Sequence, residues 1–305
     1  MTQCCVRHWW LFALPMLVCL RTQALAQDVQ PRVFSPAPVG TNVIGLAYSY
    51  STGAVLFDKS IPIEDAEGNI HSVALAFSRS MGILGMSGRF DVVLPMVTGQ
   101  WKGVVSREEG STGRTGVGDP SIRIGLFFLG APALSPQEFA EYRNRKRTVL
   151  GVIVRVGIPV GQYDPEAVVN LGSNRWQVSP QLGFSHISGR LLVEAYASTW
   201  LFSTNSSFLG AQSQKQDPIF TFQVHLGYRF KLGLWAAVSS RQSVGGAVSI
   251  DGGEKLEPET NNRIGLAVGV PVGTRNTLRF ALTTPLRTTV GNDYDTFAIA
   301  LQTVF

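Results

Sequence analysis

Arg89, Asp91, Arg123, Arg155, Glu194, His225, Arg229, Arg241, Arg263 and Arg279 are the residues whose types could do chemistry. Each sits at an alternate position of an otherwise apolar stretch, so one face of each stretch is marked polar. Seven arginines against two carboxylates make that shared surface basic. A guanidinium offers a planar fork of donors that matches a carboxylate or phosphate, and it keeps its charge at any relevant pH. An anion-favouring lining is therefore one chemistry the set could perform. The plainer reading is pairing across a narrow interior, for which Asp91 and Glu194 are available.

Signs of catalysis are poor. Beyond the N-terminal segment the histidines are His71, His186 and His225, on separate stretches and without metal-ligand spacing. Neither a G-x-S-x-G elbow nor a P-loop is present. Gly113, Gly116 and Gly118 do not make a dinucleotide fingerprint, and Asp251-Gly252-Gly253-Glu254 lacks the alternating ligands of a calcium loop and reads as a polar turn. No catalytic residue, metal site or cofactor is expected.

The stretches that carry the charged set have a period of two. In 220–230, Phe220, Phe222, Val224, Leu226, Tyr228 and Phe230 oppose Thr221, Gln223, His225, Gly227 and Arg229. That is a strand with one side in an apolar medium and the other among polar groups. An isolated charge facing lipid near the bilayer midplane costs ~2–4 kcal/mol, so the charged residues should face inward. Twelve such segments recur, near 42–50, 70–80, 86–97, 119–129, 148–159, 175–187, 190–203, 218–230, 233–243, 262–271, 276–286 and 293–305. Short connections (Met81 to Gly85, Ser188-Gly189, Lys231-Leu232, Val272 to Arg275) alternate with long polar ones, the latter including 51–69, 98–118 and 244–261. A soluble β-sandwich has no reason to alternate its loops in this way. The expected fold is all-β: a transmembrane antiparallel β-barrel of about 12 strands, with short turns in the periplasm.

One connection, Gly130 to Arg147, breaks the alternation. Its Ser135-Pro136-Gln137-Glu138 is a capping box with proline in the first turn, and predicts a short periplasmic helix ending at Arg143, Arg145, Lys146 and Arg147. Trp101, Trp176, Trp200, Trp235 and Phe305 lie near strand ends, where an aromatic girdle is expected. Phe305, with Leu301 and Thr303 on its face, matches the terminal signal read by the barrel assembly machinery.

At the other end, Arg7, the apolar run Trp9 to Leu20 and Ala24-Leu25-Ala26 read as a signal peptide over 1–26, leaving 27–305 as a single barrel domain. The apolar run is shorter than the roughly 20 residues a helix needs to span. All three cysteines fall in the first 19 residues, so neither a disulfide framework nor a thiolate metal site is expected beyond them. The formal charge of +5 falls to +3 without Arg7 and Arg21, too little to argue for nucleic acid. The expected location is the bacterial outer membrane, with both termini periplasmic and outer-membrane lipid as a partner.

Five segments occur in a telling order: Pro38-Val39-Gly40-Thr41-Asn42; Gly118-Asp119-Pro120 followed by Arg123; Gly130-Ala131-Pro132-Ala133-Leu134; Pro159-Val160-Gly161-Gln162-Tyr163; and Asn170-Leu171-Gly172-Ser173-Asn174-Arg175-Trp176. Together they resemble the outer-membrane transporter family named for the MetA pathway of phenol degradation, over about 31–305. The resemblance implies a barrel, and passage of small aromatic or hydrophobic compounds. Two other readings stand beside it. One is a structural or surface-interaction barrel with a closed lumen. The other is an outer-membrane lipid hydrolase, for which His186 is the residue to test because its register faces lipid.

Overall fold

A computed structural model of the chain describes residues 20–21, 29–56, 63–105 and 108–305. Apart from Leu20 and Arg21, the expected signal peptide lies outside the described residues. Twelve antiparallel strands form the wall: β1 (Asn42–Leu56), β2 (Ile63–Ile83), β3 (Met86–Val105), β4 (Ser121–Pro132), β5 (Arg147–Gly157), β6 (Gln177–Ser188), β7 (Leu191–Phe202), β8 (Ile219–Arg229), β9 (Trp235–Gly245), β10 (Glu259–Val272), β11 (Asn276–Arg287) and β12 (Gly291–Val304). Each pairs with its sequence neighbour, and β12 returns to β1 in continuous register from Gly291–Leu56 to Val304–Val43. Asn42 and Phe305 finish the seam by exchanging backbone hydrogen bonds of 3.2 and 2.9 Å. Closure matters because hydrocarbon offers no partner to an unpaired N–H or C=O.

The alternation in the sequence becomes an inside and an outside. On β8, Phe220, Phe222 and Leu226 are more than half exposed, whereas Thr221 and His225 are buried. Leu46, Leu75, Leu94, Ile124, Leu182, Leu266, Leu282 and Phe297 continue the apolar exterior around the barrel. A continuous apolar surface of this kind is a liability in water and the natural face of a barrel in lipid.

Short turns share one rim. Leu84 and Gly85 both take positive φ (52° and 78°), as a two-residue hairpin turn that follows the strand twist requires. The helix α1 (Pro136–Tyr142) lies at the same rim with its capping box formed, Ser135 N–H donating to Glu138 Oε2 at 2.9 Å. Opposite lies the rim of long connections. Here the sequence reading drew loops too long: most of 51–69 and 98–118 is strand, because β1, β2 and β3 run on past the wall as paired ribbons. Glu108–Val117 pairs with β3 above β4, and Gly118-Asp119-Pro120 joins the two segments. Part of 244–261 also pairs, since Val248–Ile250 joins Gln212–Gln216 in a small sheet with Asn205–Phe208. Pairing satisfies a long polar excursion's backbone without help from its side chains, so its composition read as loop.

The tryptophan girdle needs a correction. Trp176 and Phe305 are exposed at the rims, but Trp101 and Trp200 are buried inside, and Trp235 lies beneath two guanidiniums. Inward glycines make the room: a Cβ on Gly99 would lie 2.2 Å from the Trp101 ring, and one on Gly269 would lie 2.1 Å from Trp235.

Candidate functional site

The lumen is entered from both ends by the chain itself. From the turn rim, residues 29–40 run up inside the barrel as an arm. Phe34 is its anchor, fully buried against Tyr196 (ring centroids 4.9 Å), Phe127 (6.0 Å), Val149, Ile153 and Ala131. The site for this ring is cut by glycine, since Gly151 and Gly183 face each other across β5 and β6. A Cβ on Gly183 would lie 2.1 Å from the Phe34 ring.

Polar groups fix the arm on either side of that anchor. The Arg32 N–H donates to Glu194 Oε2 at 2.5 Å, and the Tyr196 hydroxyl donates to the same oxygen at 2.6 Å. Val33 N–H reaches the Tyr196 oxygen at 3.1 Å, and its carbonyl accepts from Arg89 Nη1 at 3.0 Å. Gln30 Oε1 accepts from Arg123 at 3.2 Å, and the Arg32 guanidinium lies 5.1 Å from the Trp235 ring centre. Below the lumen the arm leaves by Val39 N–H to Leu134 O and Gly40 N–H to Ser80 O.

From the long-loop rim the connection after β5 folds inward. Asp119 holds it at two points: Oδ1 accepts from Gly161 N–H (2.9 Å), and Oδ2 from the Ser173 N–H (2.7 Å) and hydroxyl (2.5 Å). Asn170 closes the loop on itself through Asp164 and Ala167. Val169 and Leu171 then pack with Val55, Ile70, Val97, Trp101 and Tyr294 inside the barrel. Outside that cluster, Arg175 stacks 4.5 Å over Phe202 and donates to Gln216 at 2.6 Å.

Between arm and loop lies a cavity of about 60 Å³, lined by Gln30, Val33, Arg123, Ile153, Arg155, Ser179, Gln181, Ser198, Trp200 and Gln223. The charged set of the sequence is spread around the wall rather than gathered there. Arg89 and Arg123 both pair with Asp91, at 2.8 and 3.2 Å, and brace the arm. Arg155 lies at the cavity, 5.5 Å from the Trp200 ring centre. Glu194 serves the arm. His225 packs against Tyr196 with ring centroids 4.6 Å apart and the planes tilted by 45°, and shares a 2.7 Å hydrogen bond with Ser239, while Arg279 lies over Trp235. Arg241 stands opposite Arg263 in the register of β9 and β10, and Arg263 donates to the carbonyls of Asn292 and Tyr294. Arg229 lies at the turn rim near the Gly189 carbonyl, away from the cavity.

The hydrolase reading asks for a nucleophilic serine and an orienting polar residue beside a histidine, with His186 the residue to test. That ring instead meets Thr148 Oγ1 at 2.8 Å on the outer face. The pair His225–Ser239 is a serine and a histidine in contact, but Glu194 accepts from Tyr196 and from the Arg32 N–H.

Sequence reasoning missed the arm and the inward loop as functional parts. The signal was present in part: four of the five segments carrying the family resemblance hold these two closures, and the fifth, Gly130 to Leu134, is the strip the arm packs and bonds against.

A closed twelve-stranded wall with an apolar exterior and a lumen entered from both ends is the architecture of an outer-membrane β-barrel. The chain belongs to the family described as "Putative MetA-pathway of phenol degradation", whose model matches residues 63–300. Among solved structures it is similar to the COG4313 outer membrane channel from Pseudomonas putida F1, with 20% identity, 91% of this chain and 100% of that chain covered, and a TM-score of 0.76. It also matches the transport unit of the autotransporter AIDA-I from Escherichia coli, with 7% identity, 92% and 93% coverage and a TM-score of 0.50. No curated protein matches the sequence.

Proposed function

We propose that the protein is an outer-membrane channel for small aromatic or hydrophobic solutes, those with a carboxylate included, and carries out no catalysis. The observation that carries this is the cavity between the two closures, where Arg155 over Trp200 presents a cation beside a flat ring. An indole face takes an aromatic ring, and a guanidinium takes a carboxylate in the same plane. The solved channel of similar fold supports a transport role, and the family description, which speaks of phenol degradation, supports an aromatic solute.

In this reading both termini and α1 face the periplasm and the long ribbons face outward. The apolar belt meets outer-membrane lipid, and Phe305 is the residue read by the assembly machinery. The arm makes the resting state narrow, and solute passage requires its displacement. The test is swelling of liposomes holding the refolded protein in benzoate or a neutral sugar of similar size, beside reversal potentials in benzoate salts. Benzoate enters faster than the sugar, and Arg155→Gln lowers the anion preference. Equal entry of both solutes together with unchanged reversal potentials would refute the selectivity. The closed lumen also favours a second reading, a purely structural barrel, and this predicts that neither solute enters.

A further inference from the structure

Phe34 is seated in the barrel as a ligand would be. Its ring is fully buried, yet residues 29–40 belong to no strand, and the place the ring fills is made by the wall. Glycine weakens the interior of a strand and there marks a point that something else approaches closely. Gly151 of β5 and Gly183 of β6 stand opposite each other. A Cβ on Gly183 would lie 2.3, 2.1 and 2.2 Å from Cδ2, Cε2 and Cζ of the ring, and one on Gly151 would lie 3.2 Å from Cδ1. Tyr196, which faces Gly183 from β7, covers the phenyl with its own ring tilted by 43°. Paired strands hold all of these residues, so the slot is a pre-formed recess the size of one aromatic ring.

One edge of the slot is polar, and the arm answers it. Glu194 Oε2 accepts from the Arg32 N–H, the Tyr196 oxygen accepts from the Val33 N–H, and Arg89 donates to the Val33 carbonyl. Without the arm, a buried carboxylate and a buried hydroxyl oxygen each lose a donor, and Arg89 loses an acceptor. Groups left unmatched inside a protein are costly. A flat ring carrying a hydroxyl supplies what the arm supplied, because a hydroxyl both donates and accepts. A bare hydrocarbon ring brings neither. The slot also adjoins the lumen cavity: Ile153 packs against Phe34 and lines that cavity, and Val33 borders it. A solute that reaches Arg155 and Trp200 is therefore next to the slot.

We propose that the Phe34 slot is a binding site for a monocyclic phenol, and that Phe34 is its built-in occupant, which the solute displaces. The proposal rests on the channel reading above and adds the place where the ring is bound. Arm and solute compete for one recess, so each bound phenol holds the arm out of its seat. Recognition and opening are then the same event.

The test is isothermal titration of phenol and of toluene into the full chain refolded in detergent, against empty micelles. Two variants release the arm in opposite ways. Phe34→Ala empties the slot, whereas Gly183→Val fills it from the wall with a side chain that suits a strand. Competition predicts that Phe34→Ala binds phenol about a hundredfold tighter than the native chain, the factor by which loss of the ring frees the slot. Gly183→Val should show no such gain, and toluene should bind Phe34→Ala about tenfold more weakly than phenol. An equal gain in both variants would place the site elsewhere, with the arm only limiting access, and so overturns the slot. Unchanged phenol affinity in Phe34→Ala overturns it too, and liposome swelling in phenol then shows whether the channel reading survives. The predicted affinities without phenol entry through Phe34→Ala would uphold the slot as a binding site and overturn the channel reading alone.

Discussion

Phe34 is the residue on which closure of the lumen at the turn rim turns. Its ring is fully buried among two aromatic and three aliphatic neighbours, on an arm that belongs to no strand. Burying a phenyl ring contributes ~1.5–3 kcal/mol from transfer alone, and truncating one in a packed interior costs ~3–5 kcal/mol once the cavity is counted. The released arm can place the ring against other surface, so a loss of about 3 kcal/mol is the fair figure for Phe34→Ala. At ~1.4 kcal/mol per tenfold, the displaced state of the arm rises about a hundredfold. Gly183→Ala reaches the same contact from the wall, since its methyl would lie 2.1 Å from the Phe34 ring. The assay is conductance of single barrels in a planar bilayer, with the folded state checked by its resistance to unfolding in cold detergent. Both variants are expected to be open far more often than the native chain. Folded variants with native closed times would show that the arm does not gate the lumen.

Two further outcomes follow from the same structure. Asp119→Ala removes three hydrogen bonds to a carboxylate, each worth ~1.5–3 kcal/mol and not additive, so the loop 158–176 should become cleavable by protease while the wall stays intact. Ser135→Ala removes the N-cap of α1 and should cost about 1 kcal/mol of helix, read as faster amide exchange over 136–142. Ser135's hydroxyl and backbone N–H hold the Glu138 carboxyl below its ordinary value of 4.5. The box is therefore fully formed above that value and is lost as pH falls through the lower folded one, so exchange in α1 should quicken only in acid.

The wall was legible because it obeys a period that one residue of slip would invert. The split of Phe222 and Leu226 from Thr221 and His225 fixes β8 without any knowledge of its neighbours. The helix was legible for a local reason too, as Ser135 and Glu138 carry the cap between them. The arm was not legible. Residues 29–40 have no period, and Phe34 finds its place only because Gly151 and Gly183 stand opposite each other in two strands far along the chain. Those glycines were visible on the polar faces of their strands. Nothing in their own strands says that an aromatic ring from the N-terminal arm fills the space. Trp101, Trp200 and Trp235 misled for the same reason. Their position near strand ends suggested the membrane boundary, whereas the room for two of them is made by inward glycines, Gly99 two residues before Trp101 on the same strand and Gly269 opposite Trp235 on the next.

The two closures differ in what opening each would cost. The inward loop is bound at both ends to the wall, pinned by Asp119 at Gly161 and Ser173, stapled internally by Asn170 and packed through Leu171. Moving it means breaking bonds to a charged acceptor and exposing two buried aliphatic side chains. The arm's polar contacts with the wall strands are single bonds, to Glu194, Tyr196, Arg89 and Arg123, spread along a few residues. The bonds to Glu194 and from Arg89 and Arg123 involve a charged group and contribute ~1.5–3 kcal/mol each, and the Tyr196 bond ~0.5–1.5 kcal/mol, so the aromatic anchor equals or outweighs any one of them. Three of those four wall residues, Glu194, Arg89 and Arg123, are among the charged residues that the sequence marked as a lining. A solute carboxylate that drew Arg123 from Asp91 and Gln30 would therefore loosen the arm at the place where it would bind, which links anion recognition to opening through the same side chains.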